Sequence, residues 1–198
     1  MHTKLLSALL LSVAGSTVCA DGFYYGAGLS LIASESTEWD ATAEGTYAGF
    51  GLTGGYRWDL GKVFVGAELD LDLPLGGELE FDGQSCSDGY AEAPYYCEHA
   101  VTSRIRGVIG LPMGDFEGFG TLGVASVGGT GAVNGDGSSD DAVTAGYTVG
   151  LGLQHEISGN TLRYEFIYDK FDDVSVQPAD LYEPTLEVYS LKVSYLFD

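Results

Sequence analysis

After residue 20 this chain repeats one pattern, an alternation of period two between apolar side chains and small or charged ones. Such a period belongs to extended strands, whose successive side chains leave on opposite faces. The first run sets Phe23, Tyr25, Ala27, Leu29 and Leu31 against Tyr24, Gly26, Gly28 and Ser30; the second sets Ala48, Phe50, Leu52, Tyr56 and Trp58 against Gly49, Gly51, Thr53 and Arg57. The third sets Val63, Val65, Ala67, Leu69 and Leu71 against Phe64, Gly66, Glu68, Asp70 and Asp72. The fourth, from about residue 101 to 111, sets Val101, Ile105 and Ile109 against Thr102, Arg104 and Arg106. A fifth run, near 118–128, is the least regular and offers Leu122 and Val124 as its apolar face. The sixth sets Ala145, Tyr147, Val149, Leu151 and Leu153 against Gly146, Thr148, Gly150, Gly152 and Gln154, and the seventh Leu162, Tyr164, Phe166 and Tyr168 against Arg163, Glu165 and Asp169. The eighth ends the chain, with Tyr189, Leu191, Val193, Tyr195 and Phe197 against Ser190, Lys192 and Ser194.

Runs of roughly ten residues have the length a tilted strand needs to cross a bilayer, and no stretch reaches the ~18 apolar residues of a membrane helix. Short turns (59–62, 112–117, 157–160) take turns with long polar segments (33–46, 74–100, 129–142, 172–185). That asymmetry is the one expected of short periplasmic turns and longer external loops. Alternation alone also fits a soluble barrel or sandwich, so the decision rests on where charge and aromatic residues lie. Arg57, Arg104, Arg106, Arg163 and Lys192 stand opposite the large apolar side chains, on the same face as Glu68, Asp70, Asp72, Glu165 and Asp169. That face is also dotted with glycine, as a narrow interior holding long charged side chains requires. The apolar face carries aromatic residues near both ends: Phe23, Tyr25, Tyr56, Trp58, Tyr195 and Phe197 on the turn side, and Tyr147, Tyr168 and Tyr189 on the loop side. Two such belts are what lipid-water interfaces select. The expected fold is all-β, an eight-stranded antiparallel up-and-down transmembrane β-barrel formed by residues 21–198 as one domain.

Residues 1–20 have the form of a secretory signal: Lys4, an apolar run from Leu5 to Val13, then small residues ending at Ala20. Val18 and Ala20 place the cleavage between Ala20 and Asp21, and Ser16-Thr17-Val18-Cys19 makes a poor lipid-attachment motif. Without Lys4 the chain keeps seven basic residues against 29 acidic ones, a balance that argues against nucleic acid as a partner. Cleavage leaves Cys86 and Cys97, and in an exported chain two cysteines in one segment favour a disulfide over half of a metal site with His99.

Pairing of the third and fourth runs allows Glu68 beside Arg106 and Asp70 beside Arg104. The expectation is therefore a lumen ion-pair network of Arg57, Glu68, Asp70, Asp72, Arg104, Arg106, Arg163, Glu165 and Lys192. Paired charge of this kind plugs a narrow bore; a narrow porin passing small solutes is the alternative. A lipid A-modifying enzyme needs a nucleophile and a base. After cleavage only His99 and His155 remain, His99 expected in an external loop and His155 at the far, periplasmic end of the sixth run, with no serine and carboxylate set beside either. No catalytic residue, metal or cofactor is expected. Gly118-x-Gly120-x-x-Gly123 matches a dinucleotide fingerprint in letters only, since it opens no helix. Oxygen-bearing residues from Asn134 to Asp141 could hold calcium but lack the closing glutamate of an EF-hand, and a flexible acidic loop is the simpler reading. The other loops are acidic too, with Glu35, Glu38, Asp40 and Glu44 in the first and Asp172, Asp173, Asp180 and Glu183 in the last.

The final run, Tyr189-Ser190-Leu191-Lys192-Val193-Ser194-Tyr195-Leu196-Phe197, resembles the assembly signal of the small outer-membrane β-barrel family that includes the OmpA-like transmembrane domain and the opacity-type, porin-like proteins. Tyr195 and Phe197 carry that signal, and Asp198 is an extra residue after it. The resemblance covers residues 22–197. It implies the outer membrane of a Gram-negative bacterium, folding by the barrel assembly machinery, a surround of outer-membrane lipid and lipopolysaccharide, and a structural, adhesive or surface-recognition role. A monomer with an extracellular ligand at its loops is the expected form.

Overall fold

The computed structural model describes residues 22–38, 40–86, 96–133, 138–172, 174 and 184–197. The secretion signal and its cleavage at Ala20 and Asp21 lie outside these residues, as do Asn134–Gly137 of the candidate calcium loop. Among the described residues ten strands form: β1 Gly22–Glu38, β2 Ala41–Asp59, β3 Phe64–Leu75, β4 Glu80–Phe81, β5 Gln84–Ser85, β6 Tyr96–Met113, β7 Phe116–Val133, β8 Ser138–Ile157, β9 Asn160–Phe171 and β10 Thr185–Phe197. Eight of them, all but the two-residue β4 and β5, run antiparallel to their chain neighbours and close into a barrel when β10 pairs with β1, from Tyr25 opposite Phe197 to Thr37 opposite Thr185. Closure leaves no exposed sheet edge in the wall, which a structure in lipid requires.

The period-two pattern has its expected consequence. Leu29, Leu31, Leu69, Ile105, Ile109, Leu122, Val124, Leu151 and Leu191 are exposed on the outer wall, while Glu68, Asp70, Asp72, Arg104, Arg106 and Lys192 are buried inside. The aromatic residues expected to form the two belts gather in two clusters. Phe23, Tyr56 and Trp58 lie ring to ring at 4.7 Å, with Tyr25, Tyr195 and Phe197 beside them on the turn side. Tyr168 lies between Tyr147 and Tyr189 on the loop side, at 6.1 and 5.1 Å. The turns are short where sequence chemistry allows. Ser158 and Gly159 both take positive φ (56° and 78°), the conformation of a two-residue hairpin turn whose twist suits the flanking strands.

Among the described residues, three segments expected as loops hold strand. β1 and β2 continue through 33–46 in unbroken register up to Glu38 opposite Ala41, and β7 and β8 continue through 129–142 up to Val133 opposite Ser138. Within 74–100 the chain forms the β4–β5 hairpin, with Glu80 opposite Glu44 of β2, and begins β6 as early as Tyr96. The strands thus overshoot the bilayer on the loop side, and in this overhang much of the inside is apolar, though Ser34, Ser36 and His99 are buried there too: Ile32, Tyr96, Val127, Phe171, Leu186 and Val188 form one buried cluster. Ala43, Leu79, Cys86 and Cys97 form a second, under the hairpin. A Cys86–Cys97 disulfide, Cα to Cα 5.2 Å, ties that hairpin to β6.

Candidate functional site: the barrel interior

The interior is built in tiers. At the turn side Arg57 forks onto Glu117, Nη1 and Nη2 each donating at 2.7 Å, and Gln154 donates to the same carboxylate at 2.8 Å. The Arg57 guanidinium lies 3.9 Å over the Phe64 ring, and its side chain keeps 26 % exposure. Arg57 thus stands at the turn-side mouth, joined to Glu117 and Asp59, and Gln154, which donates to Glu117 and accepts from Arg163, links it to the charges deeper in the bore. Phe64, Val108 and Phe119 pack as an apolar layer nearby.

The middle tier holds the remaining eight predicted residues and Asp169. Glu68 lies opposite Arg106, and Asp70 opposite Arg104, in the β3–β6 register. Arg104 grips Asp169 with a fork, Nε donating at 2.9 Å and Nη2 at 2.6 Å, while Nη1 donates to Asp70 at 2.8 Å and to Asp72. Arg106 donates from Nη1 to Glu165 at 2.8 Å and from Nη2 to Glu68 at 3.1 Å. Arg163 pairs with Glu68 and donates from Nε to Gln154 at 2.9 Å. Lys192 Nζ meets Asp70 Oδ2 at 2.6 Å and Asp72 Oδ1 at 3.0 Å. Hydroxyls fill remaining acceptor positions: Tyr24 donates to Glu68 at 2.6 Å, Thr53 to Asp70 at 2.6 Å and Thr121 to Glu165 at 3.1 Å. Charge-assisted bonds of this kind are the strong ones, and burial without them would be costly.

The charged residues come from two strand pairs, β3–β6 and β9–β10. In the closed order β1, β2, β3, β6, β7, β8, β9, β10 these pairs face each other across the bore. The other two pairs, β1–β2 and β7–β8, give the middle tier mainly glycine, serine and threonine. A Cβ on Gly51 would sit 2.5 Å from both Asp72 Oδ1 and Lys192 Nζ, and one on Gly150 2.7 Å from Glu165 Oε1. These small residues make the room in which side chains from opposite walls meet.

At the loop side of this tier stands His99. It corrects the expected loop position: His99 is a β6 residue, buried, with its ring in the bore. Nδ1 lies 3.0 Å from Ser34 Oγ and 2.7 Å from Tyr47 OH, and Nε2 lies 2.6 Å from Thr102 Oγ1. His155 sits near the β8–β9 turn, its ring 4.9 Å from Phe116 and 6.1 Å from Tyr164. Sequence reasoning left Glu117 and Asp169 out of the ion-pair network and did not assemble the Ser34–Tyr47–His99–Thr102 group. Asp169 had a legible signal, its parity with Arg163 and Glu165, whereas Glu117 fell in a segment read as a turn.

The chain is 31 % identical over 118 residues to a 22 kDa outer membrane protein of Rhizobium leguminosarum bv. viciae, an alignment covering 59 % of this chain and 49 % of that protein. The chain thus spans about half the length of the curated relative it matches. Solved structures similar to it include Ail, the attachment invasion locus protein of Yersinia pestis, in complex with the heparin analogue sucrose octasulfate (13 % identity, 88 % of this chain and 99 % of that one, TM-score 0.49). Neisserial surface protein A (10 %, 88 % and 97 %, TM-score 0.47) and the N-terminal β-barrel domain of Pseudomonas aeruginosa OprF (12 %, 86 % and 97 %, TM-score 0.45) are also similar. The profile of the outer membrane protein β-barrel domain matches residues 4–197. With a closed eight-stranded wall, an apolar exterior between two aromatic clusters and that match over nearly its whole length, the chain belongs to the outer membrane β-barrel domain family and resides in the outer membrane of a Gram-negative bacterium.

Proposed function

We propose that the protein is a non-enzymatic barrel with a structural or surface-interaction role, its lumen plugged by the ion-pair network instead of open as a channel. One observation carries this reading: buried cations and carboxylates from two facing strand pairs bond to one another across the bore, as Arg106 of β6 does with Glu165 of β9. Above them the Ile32–Phe171–Leu186 cluster fills the overhang with apolar side chains, which disfavours a continuous wet path. The overhang itself is a hydrogen-bonded sheet raised beyond the bilayer, a suitable platform for an extracellular ligand.

The non-enzymatic part is supported by the His99 group. Its Ser34 and His99 are buried, and the second imidazole nitrogen meets Thr102, not a carboxylate that would orient and charge-stabilise a base. Partners in this reading are lipopolysaccharide and other outer-membrane lipid around the wall, and the barrel assembly machinery acting through the last strand with Tyr195 and Phe197. The protein acts as a monomer and needs no cofactor. Planar-bilayer recording of the purified protein tests the plug. The expected trace is free of stable steps, and reproducible porin-sized conductance overturns it.

A further inference from the structure

The outer wall over β6–β9 is not smooth. Gly107 and Gly120 present no side chain there, and between Ile109, Leu122, Leu151 and Phe166 they leave an apolar groove of about 680 Å³ within the membrane band. Gly107 has only the Leu122 carbonyl oxygen near the place of a Cβ, at 3.8 Å, so the space beside it is open. Tyr168 lines the groove on its loop side. Its hydroxyl donates to Glu187 at 2.9 Å, and beside it on β9 stands Lys170.

Lys170 is singular. Of the eight basic residues in the sequence, Lys4 belongs to the proposed signal, Arg57 and Lys62 lie at the turn side, and Arg104, Arg106, Arg163 and Lys192 are buried in the bore. Only Lys170 remains for the loop-side exterior. Its Nζ stands 3.6 Å from Asp172 and 3.7 Å from Glu187, longer contacts than the 2.6–3.1 Å bonds of most lumen pairs. Acid is distributed unevenly around the barrel at this height. The cross-strand row Glu187, Glu35, Glu44, Glu80 runs over β10, β1, β2 and β4. On the other side of Lys170 its partner is Tyr147, followed by Val124 on β7, both neutral. Lys170 stands at the edge of the acidic sector, so an anionic headgroup above the groove is repelled from the rest of that row and takes the ammonium in place of the long contacts to Asp172 and Glu187.

We propose that this groove and Lys170 form one lipid seat, which holds lipid A of the outer leaflet with an acyl chain in the groove and a phosphate at Lys170. The acyl chain already lies in hydrocarbon, so the groove holds it by close packing against Ile109, Leu122, Leu151 and Phe166, and the ammonium–phosphate contact fixes the headgroup at the level of the tyrosine belt. The seat deepens the reading of lipopolysaccharide as a partner and rests on the loop side facing outward. It does not depend on a closed bore, so conductance and lipid retention fail separately.

Native mass spectrometry of protein isolated from outer membranes and exposed to mixed micelles of lipid A or of phosphatidylglycerol tests it. Wild-type protein is expected to retain one lipid A. Lys170→Gln and the groove-filling Gly107→Leu are each expected to retain about fivefold less, while Lys62→Gln, at the distant turn side, retains the wild-type amount. Heat-modifiable gel migration verifies that each variant is folded, and Gly120→Leu replaces Gly107→Leu should that chain fail to insert. Unchanged retention in either variant overturns the seat, as does equal loss in Lys62→Gln. Phosphatidylglycerol held as firmly as lipid A overturns the assignment to lipid A.

Discussion

Arg104 is held by three carboxylates at once, Asp70, Asp72 and Asp169, with essentially no exposure on any of the four side chains. A guanidinium suits this position because its planar fork offers several donors in fixed directions, which a lysine ammonium does not. Removing it leaves buried carboxylates whose remaining cations are Lys192 and Arg106 for Asp70 and Lys192 for Asp72, and no other cation contact is described for Asp169. Arg104→Met is therefore expected to destabilise the barrel by about 3–5 kcal/mol, the usual cost of breaking a buried pair from one side. Arg104→Lys should lose less, since it keeps the charge and sacrifices the fork. Urea unfolding in lipid vesicles, followed by heat-modifiable migration, reads both. Equal stability of Arg104→Met and wild type would show that the tier is hydrated well enough to tolerate an unpaired carboxylate.

At the scale of the strand, the outer wall changes character partway up. In β10 the residues Tyr189, Leu191 and Val193 are exposed and apolar, yet just above them the inside takes the apolar residues Leu186 and Val188 while Glu187 points outward. β1 makes the same change from Leu29 and Leu31 to Glu35 on the outer face, with Ile32 inside. The boundary marks where lipid gives way to water. β8 offers a test, because Leu151 (71 % exposed) and Val143 (65 % exposed) are both outward apolar residues of one strand on opposite sides of Tyr147. Leu151→Arg is expected to cost about 2–4 kcal/mol and Val143→Arg only about 0–1, following the depth dependence of a charge on a lipid face. Similar costs at the two positions would place Val143 in lipid and move the boundary upward. This change of polarity also explains what the sequence concealed. The eight spanning runs were legible because lipid demands apolar residues at every second position, and the lumen charges were legible because they had no other face to occupy. Above the boundary both faces of β1 and β2 are polar or small (Ser34, Ser36 and Glu35; Thr42 and Glu44), so period two loses its contrast and 33–46 resembles a loop. In β6 the register shifts between Tyr96 and Glu98 and between His99 and Val101 break the parity, so the fourth run reads only from about residue 101 and His99 reads as a loop residue.

The whole molecule depends on closure. β10 joins β1 over Tyr25–Thr37 and β9 over Thr161–Phe171, and it also brings Lys192 to Asp70 and Asp72 across the bore. Without it, β1 and β9 become open edges whose backbone groups have no partner in lipid, where each unmet group is expensive. Two opposite walls of the bore also share one set of charges, so loss of one wall strands the carboxylates of the other. A partial barrel is then not a less stable barrel; it lacks both conditions for crossing the membrane. Truncation before Tyr189 is accordingly expected to abolish the compact, heat-modifiable form altogether and leave the chain sensitive to protease along its length. The single substitutions discussed above should instead shift a transition that remains cooperative. A truncated chain that still migrates as a compact species in detergent and resists protease through β1–β9 would show that the wall closes by other pairings, and the facing-pair architecture of the bore would have to be abandoned.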